Sequence, residues 1–500
     1  MFSGDGRFFA GSARMTPLRF TAGHVPAIAQ EDLAWHTLEY AANDIRLEVK
    51  VPVLTPAQML TVTQRVKDAT QSHLKTMAVS DIVRAIDLAI LRLLDVHQED
   101  RKRIDTLLPI ATGMDASMLR HNFSQYLQTF RALQLHRFIA EDFSNPKMLD
   151  AFQPRITGGW TKAMGAELIT HIWAGNVPGL PLWSLISGLL VKAGTIGKVS
   201  SAEPICASIF AKVLTDMEPR LADCLSIIWW PNEDTQVASH LFRHSDIVLA
   251  YGGNTALSDI QTQVPVTTRF LPHGHKLSFG MVSSSALSVV RAQRVAAQAA
   301  LDIARYEQQG CYSPHMFYVE RGAQVSPQEF AQSLASELAA LAHKYPRAPL
   351  SLEEASDIAS WRQSHEFAMV QNSAVQVLGD KKDPFVVVYS DAPIPLQPSP
   401  LNRCVTVVAV DALQDVIPWI AKQRLFLQTA GLATDPETLL RVGDALAQAG
   451  VTRICAIGEM TSPAAGWHHD GRFSLIDLVN MVDIEASTEM AANQFTRYEL

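Results

Sequence analysis

The sequence predicts an α/β protein with two sheets, and three observations carry that prediction. Short apolar runs alternate with helical stretches from about residue 165 to 283, as parallel strands joined by crossover helices do. The alternation resumes after Cys311 and lasts to about residue 457. With 500 residues, 48% of them hydrophobic and 18% charged, the chain also has the material for two large cores.

The first 50 residues read as irregular with short strands, ending in the alternating run Leu47 to Val53. Thr55-Pro56 marks a helix start, with proline at the first helical position, and helical patterning continues to about Ala140 before Asn145-Pro146 breaks it. Strands are expected at Glu167–Trp173, Thr195–Ser200, Leu225–Trp230, Asp246–Tyr251 and Lys276–Val282, and helices at Leu182–Ala193, Pro204–Leu214 and Thr235–Phe242. Such strand–helix–strand units support a doubly wound domain with a nucleotide site at the strand ends. Ala292 to Gln309 is expected as one helix, stopped by Gly310. Ser326-Pro327-Gln328-Glu329 is a capping box that opens another. Strands follow at Phe385–Tyr389, Thr406–Val410 and Val451–Ile457.

The formal net charge of -8 leaves no basic field for nucleic acid. No membrane span is expected, because the longest apolar region, Val177 to Val191, is broken by two prolines and two glycines. Met1 to Arg14 carry charges and glycines rather than an apolar signal core, so a cytoplasmic location is expected. Cys206, Cys224, Cys311, Cys404 and Cys455 have no C-x-x-C spacing, which argues for reduced thiols. His273-Gly274-His275 and His468-His469 are the only tight histidine groups, and neither has a nearby cysteine or a helical partner. No metal site is expected.

One cysteine is set apart by its place. In Glu307-Gln308-Gln309-Gly310-Cys311-Tyr312-Ser313-Pro314-His315, Cys311 follows a glycine where a helical pattern gives way to a strand-like run. A thiol there is fixed by backbone on both sides yet can face a cleft, as a nucleophile must. Taken alone, the segment would favour a small buried hydrophobe; the upstream motifs reverse the odds.

Four blocks in order resemble the aldehyde dehydrogenase superfamily. Ala174-Gly175-Asn176-Val177-Pro178-Gly179 looks like the turn whose asparagine serves the oxyanion hole. Lys192-Ala193-Gly194-Thr195-Ile196-Gly197-Lys198-Val199-Ser200-Ser201 looks like the turn and lysine-bearing strand at the adenosine end of the cofactor, with Thr195 where asparagine is usual. Tyr251-Gly252-Gly253-Asn254-Thr255 looks like the glycine turn near the cofactor phosphates, and the Cys311 segment is the fourth block. The wording of Ile228-Trp229-Trp230-Pro231, of His273 to Gly280, of Gln308 to His315 and of His469-Asp470-Gly471-Arg472 narrows the resemblance to the fatty acyl-CoA reductase of bacterial luminescence systems, over about residues 50 to 490.

That resemblance implies a Rossmann-type cofactor domain, an α/β catalytic domain and a small oligomerisation element. The expected division is 1–149 as the N-terminal helical part of the cofactor domain, 150–168 as the oligomerisation element, 169–283 as the dinucleotide-binding domain, 284–480 as the catalytic cysteine domain and 481–500 as an oligomerising tail. Cys311 would attack a fatty acyl-CoA, and Asn176 with the Cys311 N–H would hold the oxyanion. Lys198, Ser201, Gly252 and Gly253 would bind the cofactor. Ser201 stands where many NAD-preferring relatives carry an acid, which favours NADPH over NADH unless Glu203 or another acid takes that contact. A homodimer or homotetramer is implied, and there is room for an acyl-protein synthetase as partner.

Two departures stand out. The glutamate with which hydrolytic aldehyde dehydrogenases activate water has no counterpart in Phe270 to Lys276, which suits a reductase; His273 and His275 are alternatives for assisting the thiol, with a structural role favoured for each. The glutamate that often holds the nicotinamide ribose is also missing near Pro398 to Arg403. His315 is expected to point away from the thiol, and Trp229-Trp230 to be core or cleft wall. The rivals are an oxidising aldehyde dehydrogenase, a cysteine acyltransferase or thioesterase without redox chemistry, and a noncatalytic acyl-binding subunit.

Overall fold

The computed structural model describes residues 16–42, 44–371 and 374–495. The expectations for Met1 to Arg14 and for the last five residues of the tail lie outside the described residues.

The expected alternation builds a five-stranded parallel sheet in the order Arg269–His273, Ile247–Tyr251, Leu168–Ile172, Gly194–Lys198, Leu225–Ile228. Its three inner strands and Leu225–Ile228 are buried on both faces, which is why they read as apolar runs rather than alternating ones. The chain winds outward in one direction from Leu168–Ile172 and then returns to the other side of it with Ile247–Tyr251. That reversal leaves a crevice at the carboxyl ends of these two neighbouring strands. Asn176 follows the first and Gly252-Gly253 the second. The N-terminal helices pack on this sheet. Val79–Leu94, for example, buries Ile82, Ile86, Ala89, Ile90 and Leu93 against Ile205–Met217. Thr55 and Gln58 form the capping box that starts Pro56–Ser72.

A second sheet of seven strands runs Val375–Leu378, Val386–Ser390, Cys404–Val410, Pro314–Glu320, Leu277–Val282, Leu427–Ala433, Arg453–Ala456, all parallel but for the first. Val289–Ala304 and Pro327–Lys344 cover one face, and Pro436–Ala449 lies on the other. The expected boundary at residue 283 put Leu277–Val282 with the dinucleotide sheet. It is hydrogen-bonded inside the second sheet, so the chain changes sheets between His273 and Leu277. An apolar strand buried on both faces carries no mark of which sheet it joins.

A third, small sheet pairs Trp160–Gly165 with Val479–Ile484 and with Gln153–Pro154. The segments expected as oligomerisation element and tail are thus joined by hydrogen bonds, and the tail strand straddles the expected boundary at residue 480. No helix among the described residues is long and apolar enough to cross a membrane.

Candidate active site

The approach to Cys311 is not the single helix expected. Val289–Ala304 ends early, and Tyr306, Glu307 and Gln308 follow with φ of 52°, 50° and 66°. Three left-handed residues in succession are costly and need outside support. Arg403 supplies it from a second left-handed run, Leu401 to Arg403. Its guanidinium donates to both carboxylate oxygens of Glu307, at 2.9 and 2.8 Å, with both side chains buried. The Gln308 amide donates to the Pro314 and Cys404 carbonyls and accepts from the Cys404 N–H. Gly310 does not take the left-handed conformation of a helix-ending glycine; a Cβ there would meet the Tyr312 ring at 2.4 Å.

This clamp sets Cys311 just before Pro314–Glu320, where the second sheet faces the crevice of the first. Ser278 Oγ fixes its backbone by donating to the Cys311 carbonyl at 2.8 Å. Cys311 is partly exposed as a residue and lines a cavity of about 1090 Å³. Asn176, Gly252, Gly253, His273 and His315 share that wall. Asn176 Nδ2 donates to the Gln309 carbonyl at 2.7 Å. An amide has two N–H bonds, so one remains to meet a negative oxygen next to Cys311. His315, expected to point away, lies on the same wall, but its Nδ1 accepts from the Ser399 N–H at 3.1 Å. Burial holds its pKa down at about 4. The wall also has an aromatic and apolar share, with Tyr126, Leu180, Trp183, Tyr306, Tyr312 and Trp467.

The thiol sits in a polar network that sequence reasoning missed. Gln428 Nε2 donates to Cys311 Sγ at 3.3 Å and to Asp470 Oδ1 at 2.7 Å. The other carboxylate oxygen pairs with His273 Nδ1 at 2.9 Å. Burial, helped by the Asp470 charge, pushes the Cys311 thiol up to about 11, against the opposing pull of Gln428. Burial also works to raise Asp470, but the hydrogen bond from His273 and its neighbours His469 and Gln428 outweigh it and hold the carboxyl well below its usual range. Asp470 was visible only as one letter of a family-like block. Gln428 had a fainter signal, a polar side chain beginning the apolar strand Leu427–Ala433.

His273, His469 and Asp470 bring three ligand atoms within 4.8 Å of one another. The two rings lie face to face at 4.4 Å, and the carboxylate pairs with His273 and Gln428. The residues present fit a dinucleotide. A Cβ on Gly252 would make only ordinary contact, with Ala256 at 3.8 Å, one on Gly253 would meet His275 at 3.4 Å, and the helix Asn254–Gln263 begins there. Helix N–H groups at such a turn suit phosphate.

Lys198 and Ser201 are not on the wall that holds Cys311. Lys198 is only 8% exposed, donates to Asn232 Oδ1 and lies over the Trp230 ring. Burial lowers it to about 8, with the nearby Glu233 opposing. That acid went unweighed in the sequence. Ser201 Oγ accepts from Trp229 Nε1 at 2.9 Å, so Trp229 braces this end of the strand. Glu203 instead faces inward, accepting from the Ile205 and Cys206 N–H groups, and is 2% exposed.

Residues 74–481 match the family described as acyl-CoA reductase (LuxC). Long-chain acyl-protein thioester reductases resemble the chain. That of Photorhabdus laumondii is 27% identical over 362 residues, covering 72% of each chain. That of Aliivibrio fischeri is 28% identical over 360 residues, covering 70% of each. Among solved structures, aldehyde dehydrogenase 21 from Physcomitrella patens superposes with a TM-score of 0.71 at 12% identity, over 94% of this chain and 99% of that one. An NADP-dependent glyceraldehyde-3-phosphate dehydrogenase from Bacillus halodurans gives a TM-score of 0.67 at 13% identity, over 91% and 96%. The fold is that of the aldehyde dehydrogenases.

Proposed function

The chain belongs to the acyl-CoA reductase (LuxC) family, and from that premise we propose that it reduces long-chain fatty acyl thioesters to aldehydes with NADPH, through an acyl group carried on Cys311. The donor is acyl-CoA or an acyl group delivered on a protein by a synthetase. One observation carries the reading: of the residues lining the cavity around Cys311, the only carboxylate is Glu459, which lies in the segment after Ala456 rather than beside the thiol. No carboxylate on that wall stands beside the thiol where a hydrolytic aldehyde dehydrogenase keeps its water-activating glutamate, which favours a reductase.

The Cys311 sulfur attacks the thioester carbon, and the leaving sulfur departs. The free N–H of Asn176 and the Cys311 backbone N–H stabilise each tetrahedral oxyanion. The aromatic wall holds the acyl tail and keeps water from the thioester. Gly252-Gly253 would hold the phosphates of NADPH and Ser201 with Lys198 its adenosine end, and the cofactor would supply a hydride when bound. Cys311 then leaves as a thiolate and the aldehyde is free. The preference for NADPH is supported by the hydroxyl at Ser201; Lys198 must leave Asn232 to reach a phosphate. The exposed Trp160, Met164, Met481 and Val482 of the small sheet support contact between copies, in a homodimer or homotetramer.

The test is a pulse and chase. Labelled long-chain acyl-CoA should mark Cys311, and NADPH should convert the label to aldehyde faster than NADH does. Label released only as acid, with either cofactor, would overturn the reading in favour of a thioesterase. Asn176→Ala should lower kcat for aldehyde formation by about 100- to 1000-fold, the usual cost of one oxyanion donor. A rate within about threefold of wild type would remove Asn176 from the site.

A further inference from the structure

The buried thiol raises a question that the fold alone does not answer: where its proton goes. At neutral pH Cys311 holds its proton, since burial and the Asp470 charge keep its pKa high. We propose that Asp470 and His273 form an acid–base dyad for acyl transfer, with Gln428 as the positioning residue that ties this dyad to the sulfur. The proposal rests on the acyl-thioester reading above and deepens it.

The geometry is specific. Asp470 spends one oxygen on Gln428, which reaches Sγ, and the other on the imidazole. With a carboxylate at Nδ1, that nitrogen carries the hydrogen and Nε2 is left with the free lone pair. His273 lies on the cavity wall, and its ring stacks on both Tyr251 at 4.7 Å and His469 at 4.4 Å, which themselves lie 6.1 Å apart. Asp470 itself is held at φ 55°, a conformation that a non-glycine residue adopts only at a cost. Gln428 is 1% exposed, and its Oε1 has no hydrogen-bond partner, so a buried amide is kept here with half its polar capacity unused. Burying such a group without full pairing is costly, which argues for a role in the site rather than in packing. The other titratable groups facing this cluster are Tyr251 and His469 against the imidazole, and Lys276 and Tyr312 toward the thiol.

The step balances without any further reactant. As the Cys311 sulfur bonds to the acyl carbon, its S–H bond breaks and the proton passes to His273 Nε2 through the cavity that both residues line. The bond from the acyl carbon to the leaving sulfur then breaks. His273 returns the proton to that sulfur, so a neutral thiol departs and the imidazole is neutral again. Nothing is oxidised or reduced in this half-reaction.

Two rates measured against pH without cofactor test it: alkylation of Cys311 by iodoacetamide, and its acylation by labelled long-chain acyl-CoA. In Asp470→Asn the negative neighbour is gone, so the thiol pKa falls and alkylation at pH 8 rises severalfold. Acylation falls about 100-fold, because the imidazole loses its orienting partner. His273→Gln should acylate about 100-fold more slowly. Gln428→Leu, which removes the donor to sulfur, should alkylate more slowly and so checks the link if Asp470→Asn does not fold. Both rates falling together in Asp470→Asn, or wild-type acylation in His273→Gln, overturns the dyad. A wild-type protein that alkylates but never takes an acyl label overturns the reductase reading instead; the alkylation profiles of the variants still report the hold of Asp470 and Gln428 on the thiol.

Discussion

Cys311→Ala should form no aldehyde above about one ten-thousandth of the wild-type rate, the scale of loss when a covalent nucleophile is removed. It should take no acyl label, while its affinity for acyl-CoA and for NADPH stays within about threefold of wild type, because the sulfur is a minor part of either contact surface. The pattern separates chemistry from binding. Cys206, Cys224, Cys404 and Cys455 offer no substitute. Cys206, Cys224 and Cys404 are buried, and none of the four lines the cavity. A variant that still reduces acyl thioesters at a tenth of the normal rate would mean that the acyl group never rests on residue 311.

Arg403→Met should unfold at a temperature about 3–5 °C lower than wild type. The substitution leaves the Glu307 carboxylate buried without its bidentate partner, and breaking such a pair on one side costs about 3–5 kcal/mol. Burial raises the Glu307 pKa and the Arg403 guanidinium pulls it back, so without the arginine the glutamate takes up a proton more readily. The loss should be local as well as global. Residues 306–308 hold their left-handed backbone against this clamp, so the thiol should alkylate with changed kinetics even below the melting transition. Glu307→Gln combined with Arg403→Met should recover much of the stability, since removing both charges is far less costly than stranding one. Equal melting curves for Arg403→Met and wild type would show that the loop does not depend on the ion pair.

The two predictions mark the reach of the sequence. Cys311, Asn176 and the Gly252-Gly253 turn were singled out through the resemblance of their blocks to the aldehyde dehydrogenases, and each lies beside a strand end on the shared cavity wall. The sheet elements themselves were legible from apolar runs. The Glu307–Arg403 clamp was not, because 96 residues separate its partners and nothing local marks either one. The early end of Val289–Ala304 was missed for a related reason: Arg305 to Gln309 is a fair helical sequence that tertiary contacts hold in another shape. Gly310 was rightly singled out for the wrong reason, since what excludes a side chain there is the Tyr312 ring rather than a positive φ. Lys198 and Ser201 lie at the strand end expected of them, yet their present partners, Asn232 and Trp229, come from a neighbouring segment that alternation cannot register.

The donor that reaches the sulfur is 117 positions downstream, and the carboxylate behind it a further 42. A nascent chain that has passed Cys311 therefore carries an ordinary cysteine. Only when the final strands dock does the thiol gain its neighbours, so truncated or half-assembled copies should keep an ordinary cysteine's reactivity toward alkylating agents while lacking the arrangement for acyl transfer.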